Sequence, residues 1–317
     1  FEGVGASVQE RSKLILLDTL GAMLAASHPS FRGTRLLTEY LGKDGAQGPC
    51  SVIGTALRTS PTNAALLNGY LGYALDIESH HGAAVAHAAA AVLPAALATA
   101  QEQQRGGTDL LTALTLGIEV ACRVSLAIGP NDLYARGFHP TSVGGSFGAA
   151  AASSWLLRLN AAGFERALGL AATQASGLLA WASDPTEESR PLNPGLAARN
   201  GVTAAQLAAL GFGAPRAVFD QDAKYNVFLA WSLDGKGRPE ALLEGFGQTF
   251  AITELIIKRY ACCAFLHPAL DGLLTILAEE ALSADQISAI RMHYPRSGAP
   301  IIDNNELRSH RAQYILP

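Results

Sequence analysis

Long segments in which apolar residues recur every three or four positions dominate the sequence, and this spacing places them on one face of an α-helix. In the first segment, residues 8–27, the apolar positions include Leu17, Leu20 and Leu24. Segments of the same type follow at 62–75, 88–104, 109–128, 143–158, 164–180, 196–210 and 268–281. We therefore predict a mainly α fold built around a large all-helical domain.

The pattern changes towards the end of the chain. Residues 287–294 alternate apolar and polar side chains, as a β-strand does, and Pro295 stops the alternation. The segment 250–252 is also short and extended in character. We predict an all-α domain over residues 1–257 and a smaller, mixed α/β unit over residues 258–317.

Charge and hydropathy exclude some classes of partner. The formal net charge is −4, the pI is about 6.1 and no lysine or arginine cluster is present, so we expect neither nucleic acid nor an anionic membrane as the partner. The mean hydropathy is positive, but the longest uncharged stretches, 82–100 and 167–183, are largely alanine and glycine. A membrane-spanning helix needs about 20 residues richer in Leu, Ile and Phe, so buried helices of a soluble protein fit better.

The cysteines and the N-terminal segment indicate a cytoplasmic location. The chain has 4 cysteines, which form no C-x-x-C pair, and no basic segment followed by an apolar one opens the sequence. His81 and His87 are six positions apart, which is not the spacing of a helical zinc pair, so we expect no metal.

The first polar cluster is residues 76–81, followed by His87. Asp76, Glu78, Ser79, His80 and His81 lie close together just after a predicted helix, which suits a loop that faces a cavity. The alternative is a polar loop whose histidines are satisfied by the backbone.

The second cluster is Arg136-Gly137-Phe138-His139-Pro140-Thr141. The helix that follows presents free N–H groups, which favour an anion. Arg136 can bind a carboxylate through two hydrogen bonds, and His139 can titrate near neutral pH. The structural alternative is a helix start capped by Thr141 or Ser142.

Two further segments carry weaker signals. In the proline-rich loop 184–200, Arg190 is the best candidate to bind a substrate anion, although such loops are often only solvated. Lys258 is placed to face a cleft at the predicted domain junction, and Cys263 is either a reactive thiol or a buried one. His310 and Tyr314 form a late acid/base pair.

Together these stretches resemble the MmgE/PrpD family, which contains 2-methylcitrate dehydratase, cis-aconitate decarboxylase and iminodisuccinate epimerase. The resemblance runs in order across almost the whole chain, through residues 74–76 with His87 and 91–98, 137–141 with 147–150, 258–267 with Asp271, and 309–314.

The resemblance implies an active site between a large helical domain and a smaller α+β lid, usually in a homodimer and without metal or organic cofactor. Family members are longer and return to the helical domain after the lid, so the lid and this return are expected to be incomplete here. By position, the resemblance implies catalytic roles for Asp76, His87, His139, Lys258 and Tyr314. It agrees with substrate binding by Arg136, Arg190, His81 and Cys263.

The sequence departs from the family pattern inside the expected pocket. Glu78 and Ser79 replace two aspartates, and Ala88 replaces the proline after the histidine. Arg190 and Asn193 stand where relatives carry lysine and histidine, and Cys263 stands where the decarboxylase type resembles a histidine site.

We predict acid/base chemistry next to a carboxylate of a small di- or tricarboxylic acid. The first choice is a hydro-lyase of the 2-methylcitrate dehydratase type. The alternatives are an epimerase of an amino- or imino-dicarboxylate, a cis-aconitate-type decarboxylase, and a catalytically silent helical dimer that binds carboxylates.

Overall fold

The computed structural model describes residues 3–43, 47–296 and 299–316, and α-helices dominate it. The helices are α1 (Ala6–Ala26), α2 (Arg32–Gly42), α3 (Pro61–Leu71), α4 (Ala88–Glu102), α5 (Gly107–Ile128), α6 (Pro130–Ala135), α7 (Pro140–Leu156), α8 (Ala161–Gln174), α9 (Leu192–Ala209), α10 (Val227–Trp231), α11 (His267–Glu279), α12 (Ala299–Ile302) and α13 (Ala312–Ile315). The predicted mainly α fold is confirmed.

The strands of the described residues are short and form two antiparallel pairs. β1 (Cys50–Ser51) pairs with β2 (Arg58–Thr59), and β3 (His80–His81) pairs with β4 (Leu255–Ile256). The second pair joins segments that are far apart in sequence, and it brings the chain just before Lys258 next to the polar cluster after α3.

Helix α7 forms the centre of the fold, and its small residues let neighbouring helices approach to backbone contact. A Cβ atom on Gly148 would lie 2.4 Å from the carbonyl oxygen of Gly117 on α5, and one on Gly145 would lie 2.7 Å from Ala91 on α4. On the α9 side, a Cβ on Gly201 would lie 2.4 Å from the Ala149 side chain. Because only glycine and alanine lie at these contacts, any larger side chain there would force the helices apart.

Most predicted helices end within a few residues of the observed bounds, but the segment predicted at 164–180 stops earlier. Helix α8 ends at Gln174, and Gly177 then adopts a φ of +118°, which only glycine takes readily. A 3₁₀ turn at Leu179–Ser183 follows. The chain therefore leaves the helix and passes beside Phe138 and His139, where Gly177 accepts a hydrogen bond from the backbone of His139 at 2.8 Å.

Helix α5 has the length and hydropathy of a membrane-spanning helix. Its mean hydropathy is 1.7 over the relevant window, but 72% of that window is buried inside the fold. Core helices of globular proteins pass the same length and composition test.

The strand predicted at 287–294 is wrong. These residues carry no strand, and no backbone hydrogen bond joins residues 288–294 to another described segment, as a strand requires. At 250–252, Phe250 is extended as predicted, but Ala251–Glu254 is a 3₁₀ turn and the strand is the following β4. The structure does not confirm a lid domain, and Pro317, its last predicted residue, lies outside the described residues.

Candidate active site

A buried ionic cluster surrounds Asp76, in the turn that follows α3. Lys258 Nζ lies 2.6 Å from Asp76 Oδ1 and also donates to the Asp76 carbonyl at 2.9 Å. Arg190 Nη1 lies 3.4 Å from the same carboxylate oxygen. Burial by itself raises the pKa of Asp76, but the charges of Lys258 and Arg190 bring it well below its usual range. The centre of the cluster therefore holds two cations and one anion.

Two histidines, His139 buried and His87 mostly buried, flank this cluster from the starts of two helices. His87 is the N-cap residue of α4 and His139 is that of α7. Tyr73 lies between them, with its ring centroid 5.1 Å from that of His87 and 5.9 Å from that of His139. The backbone N–H of His87 donates to the Thr141 hydroxyl at 3.0 Å, which ties the two helix starts together.

Both of these imidazoles are neutral at neutral pH. Burial is the main cause that lowers the pKa of His87 and of His139 well below the usual value. His87 Nδ1 lies within hydrogen-bond distance of the Ser79 carbonyl at 3.2 Å, which favours the tautomer with its lone pair on Nε2. A neutral imidazole with a free lone pair can accept a proton from a substrate.

Glu78 adds a second carboxyl group to the cluster. Its Oε1 lies 3.0 Å from His87 Nδ1 and 3.5 Å from Lys258 Nζ, and the side chain is fully buried. Burial raises the pKa of Glu78 above its ordinary value, despite the nearby Lys258 charge. Glu78 therefore holds a proton more tightly than an exposed glutamate does.

Strand β3 decides which of two adjacent histidines borders the cluster. The His80 ring centroid lies 4.7 Å from that of His87, and burial lowers the pKa of His80 to about 3. His81, whose side chain extends to the other face of the strand, lies 3.6 Å from Glu254 through its Nε2. The structure thus brings His80 to the cluster, and the predicted His81 faces away from it.

The segment 308–310 covers the cluster from the C-terminal side. His310 Nδ1 lies 3.9 Å from Asp76 Oδ2. Ser309 holds this segment in place, because its hydroxyl donates to Glu187 at 2.7 Å and its carbonyl accepts from the Cys263 N–H at 2.9 Å. The Cys263 thiol is buried, which raises its pKa to about 12, so it is protonated at neutral pH.

Several buried polar atoms in and around the cluster have no hydrogen-bond partner among the described residues. They are Asp76 Oδ2, both carboxyl oxygens of Glu78, Ser79 Oγ, His139 Nδ1, Ser142 Oγ, Trp181 Nε1 and Arg190 Nε. Buried polar groups in folded proteins are nearly always paired, so this concentration indicates a place where a polar ligand or ordered water binds.

Five of the nine predicted site residues meet in this one place: Asp76, His87, His139, Arg190 and Lys258. Cys263 lies beside them through the Ser309 contact. Tyr314 is 56% exposed on α13 and stacks under Arg308. Arg136 is exposed, and its side chain has no hydrogen bond or ion pair with any part of the chain that the structure describes. The catalytic and binding roles of all nine residues stay predictions.

The structure places four further residues here: Tyr73, Glu78, His80 and His310. The sequence placed Glu78 and His80 in the first polar cluster without a role, and alternation along a short strand would have separated His80 from His81. It paired His310 with Tyr314 as an acid/base pair but did not connect it with Asp76, and Tyr73 had no local signal, because these contacts are made only by distant segments.

Two cavities differ in their distance from the cluster. One cavity of about 530 Å³ is lined by α9 and the 3₁₀ turn, and it includes Trp181, whose ring centroid lies 5.5 Å from that of His139. A larger cavity of about 730 Å³ is lined mainly by apolar side chains of the C-terminal segment, such as Leu273, Ile290 and Leu316. No titratable group of the cluster lines either cavity, and the first approaches the cluster through Trp181 beside His139.

No group of three or more His, Cys, Asp or Glu side chains in the described part of the chain is arranged to hold a metal ion. Lys258 and Arg190 carry two positive charges against the one negative charge of Asp76, so the cluster has a net positive charge when Glu78 is protonated. In that state the cluster suits an anion.

Curated proteins similar to this chain share one description. A cis-aconitate decarboxylase-like protein, oryM, from Aspergillus oryzae is 35% identical over 91% of this chain and 61% of its own length. The cis-aconitate decarboxylase of Homo sapiens is 36% identical over 97% of this chain and 65% of its own length. That of Aspergillus terreus is 31% identical over 92% of this chain and 60% of its own length. This chain spans about three fifths of the length of these relatives.

The family comparison matches the helical part of the chain. The MmgE/PrpD N-terminal domain matches residues 1–238, which include Asp76, His87, His139 and Arg190, whereas Lys258 lies beyond the matched residues. The relatives cover that region as well. The chain belongs to the MmgE/PrpD family.

Proposed function

We propose that the protein is a lyase that acts on a small di- or tricarboxylic acid, with the cluster around Asp76 as its active site. The observation that carries this proposal is the convergence, in one buried place, of two cations, two neutral histidines and a group of unpaired polar atoms. The names of the relatives support the reaction class.

In the proposed mechanism, Lys258 and Arg190 bind the carboxylate groups of the substrate. When CO₂ or a proton leaves the carbon next to a carboxylate, negative charge develops there, and fixed cations in a buried site stabilise it. In a dehydration this charge then expels the hydroxyl group from the neighbouring carbon, and an acid protonates it to water. Asp76 contributes indirectly, because it holds both cations in place.

The proton steps fall to the two histidines at the helix starts. The free Nε2 lone pair of His87 suits a base, and His139 has an unpaired Nδ1. Both rings are held by Tyr73 and by the rigid helix starts, so their separation is fixed before the substrate arrives.

Decarboxylation of an unsaturated tricarboxylic acid is the first candidate reaction, since the relatives carry that description; it replaces the dehydration that the sequence alone put first. Dehydration is the second candidate, and Cys263 favours it. At this position the resemblance implies a histidine in the decarboxylase type. This chain has a buried thiol there instead, and the thiol is too weak an acid to exchange protons readily near neutral pH.

The test is a proton NMR assay in deuterated buffer with cis-aconitate, 2-methylcitrate and an imino-dicarboxylate as separate substrates. Loss of CO₂, loss of water, and deuterium uptake without either distinguish the decarboxylase, the dehydratase and the epimerase. We expect turnover of a tricarboxylate, and H139A should lower it roughly 10²–10⁴-fold.

The matched control is H293A, because His293 is exposed and lies outside the cluster. Equal turnover in both variants would remove His139 from the mechanism. Tight binding of these acids without turnover or deuterium exchange would point to a protein that only binds carboxylates.

A further inference from the structure

Glu78 is a buried carboxyl group with few partners that could stabilise its charge. It is 0% exposed, and neither of its carboxyl oxygens accepts a hydrogen bond from the described residues. Lys258 Nζ lies 2.6 Å from Asp76 but 3.5 Å from Glu78, so Asp76 takes the stronger share of that cation. The ionised form of Glu78 therefore has weak support.

Charged and titratable groups from every neighbouring element lie around Glu78. Those that interact with it directly are Asp76 and His80 on its own segment, Tyr73 just before it, His87 at the start of α4, Arg190 before α9, Lys258 after β4 and Asp18 on α1. His310 on the C-terminal segment faces Asp76, and Arg11 on α1 acts on Asp18. The histidines are neutral, since burial lowers their pKa values. With Glu78 ionised the inner cluster is electrically neutral, and with Glu78 protonated it carries one positive charge.

An incoming carboxylate changes this balance. It needs the same cations that weakly support ionised Glu78, and two carboxylates that share a buried site do not both stay ionised at low cost. Asp76 cannot take up the proton instead, because Lys258 and Arg190 directly stabilise its ionised form. Protonation of Glu78 removes the repulsion and restores the positive charge that attracts the anion.

We propose that the protein takes up one proton, at Glu78, when its anionic substrate binds. This inference rests on the function proposed above, because it concerns the same site. Substrate affinity then falls as the pH rises, by up to about tenfold per pH unit in the range where free Glu78 is ionised and bound Glu78 is protonated. Glu78 acts here on binding and not on the reacting carbon.

The test is isothermal titration calorimetry with tricarballylate, a saturated tricarboxylate that is fully ionised above about pH 7. Titrations in two buffers of different ionisation enthalpy count the protons taken up. We expect the uptake by the wild type to increase towards one proton as the pH rises and free Glu78 becomes ionised. In E78Q, which keeps the shape and removes the charge, uptake should vanish and the affinity should become independent of pH.

D18N is the matched control, because it removes the other half-buried carboxyl group near this site and leaves Glu78 in place. Burial raises the pKa of Asp18 to about 6, so its own titration ends below the range of the measurement. D18N should keep the wild-type proton uptake. Uptake that persists in E78Q, or that disappears in D18N, overturns the assignment to Glu78.

The wild type alone also decides the question. Infrared difference spectra should show a protonated carboxyl band when tricarballylate binds, so the test does not depend on the folding of E78Q. Binding without proton uptake overturns this inference and leaves the proposed function intact. Failure of every di- and tricarboxylate to bind the wild type overturns both.

Discussion

Two buried ionic groups of this fold use the same residue types with opposite results. On α5, Arg123 Nε lies 2.5 Å from Glu119 Oε1, and Glu119 Oε2 accepts from the Ala251 N–H at 2.6 Å. Arg123 also donates to the backbone carbonyls of Ala241, Leu242 and Glu244. Within the described chain, no buried atom of this α5 pair lacks a partner, whereas the cluster around Asp76 contains many that do.

This difference in hydrogen-bond partners distinguishes a structural ion pair from a candidate ligand-binding site. The α5 pair fastens the segment 241–251 to the core, and its hydrogen-bonding capacity is used up by the protein itself. The Asp76 cluster keeps part of its capacity free, at a cost in stability, and that free capacity is what a substrate can use. A buried charge therefore indicates function only when its partners are incomplete.

The largest expected effect breaks the α5 pair. R123M leaves Glu119 buried without its cation, so the free energy of unfolding should fall by about 3–5 kcal/mol. Denaturant titration measures this, and turnover per folded molecule should change little. R158M is the control, because Arg158 pairs with Asp109 at the surface and should contribute at most about 1 kcal/mol. Equal losses in the two variants would contradict the distinction.

The second-largest expected effect is on the pH dependence of stability, because the Asp76 cluster and its surroundings hold neutral histidines away from solvent. Burial lowers the pKa values of His80, His81, His87, His139 and His310, so below about pH 6.5 the unfolded chain binds protons that the folded protein does not. Stability should therefore decrease as the pH falls, by about 1.4 kcal/mol per pH unit for each histidine. Asp18 and Glu78, whose pKa values are raised, oppose this loss in part.

Denaturant titrations near pH 7 and near pH 5.5 measure the slope. H80Q should reduce the difference between these two pH values by about 1 kcal/mol, because His80 then no longer binds a proton in the unfolded state alone. Stability that is equal at the two pH values would contradict the neutral, buried state of these histidines.

The smallest expected effect concerns Tyr314, which the sequence predicts as catalytic and the structure leaves 56% exposed. Y314F should change stability by less than about 0.5 kcal/mol. Turnover should also stay near the wild-type value, whereas H310Q, in the same segment and 3.9 Å from Asp76, should lower it. A loss of turnover in Y314F that exceeds the loss in H310Q would restore the role predicted from the sequence.

Much of the fold could be predicted because its helices are long and periodic. The predicted segments agree with α1, α3, α4, α5, α7, α9 and α11 to within a few residues at their ends, since periodicity depends only on local spacing. The strand predicted at 287–294 is wrong because strand formation depends on distant segments and not on local spacing. Alternation indicates a strand only when a partner strand lies beside it.

The site could be predicted only in part. The resemblance to the family, not the periodicity, connected Asp76 with Lys258, which lie 182 positions apart. The sequence could not show which of several neighbouring residues faces the site. It predicted His81 and not His80 as a site residue, and it predicted the exposed Arg136. Proximity to a motif in the sequence does not give the direction of a side chain. The domain boundary at 257, the homodimer and the cytoplasmic location stay predictions.

The close helix contacts of α7 have a consequence for how such a site can change over time. His139 is fixed at one end of a helix that has no room to move, since even a methyl group at Gly148 would collide with the Gly117 carbonyl. A new preference for one acid over another therefore cannot arise by shifting the frame. It has to arise by exchanging side chains in the loops, at positions such as 78–80 and 187–193, so that one rigid frame can serve a range of related acids.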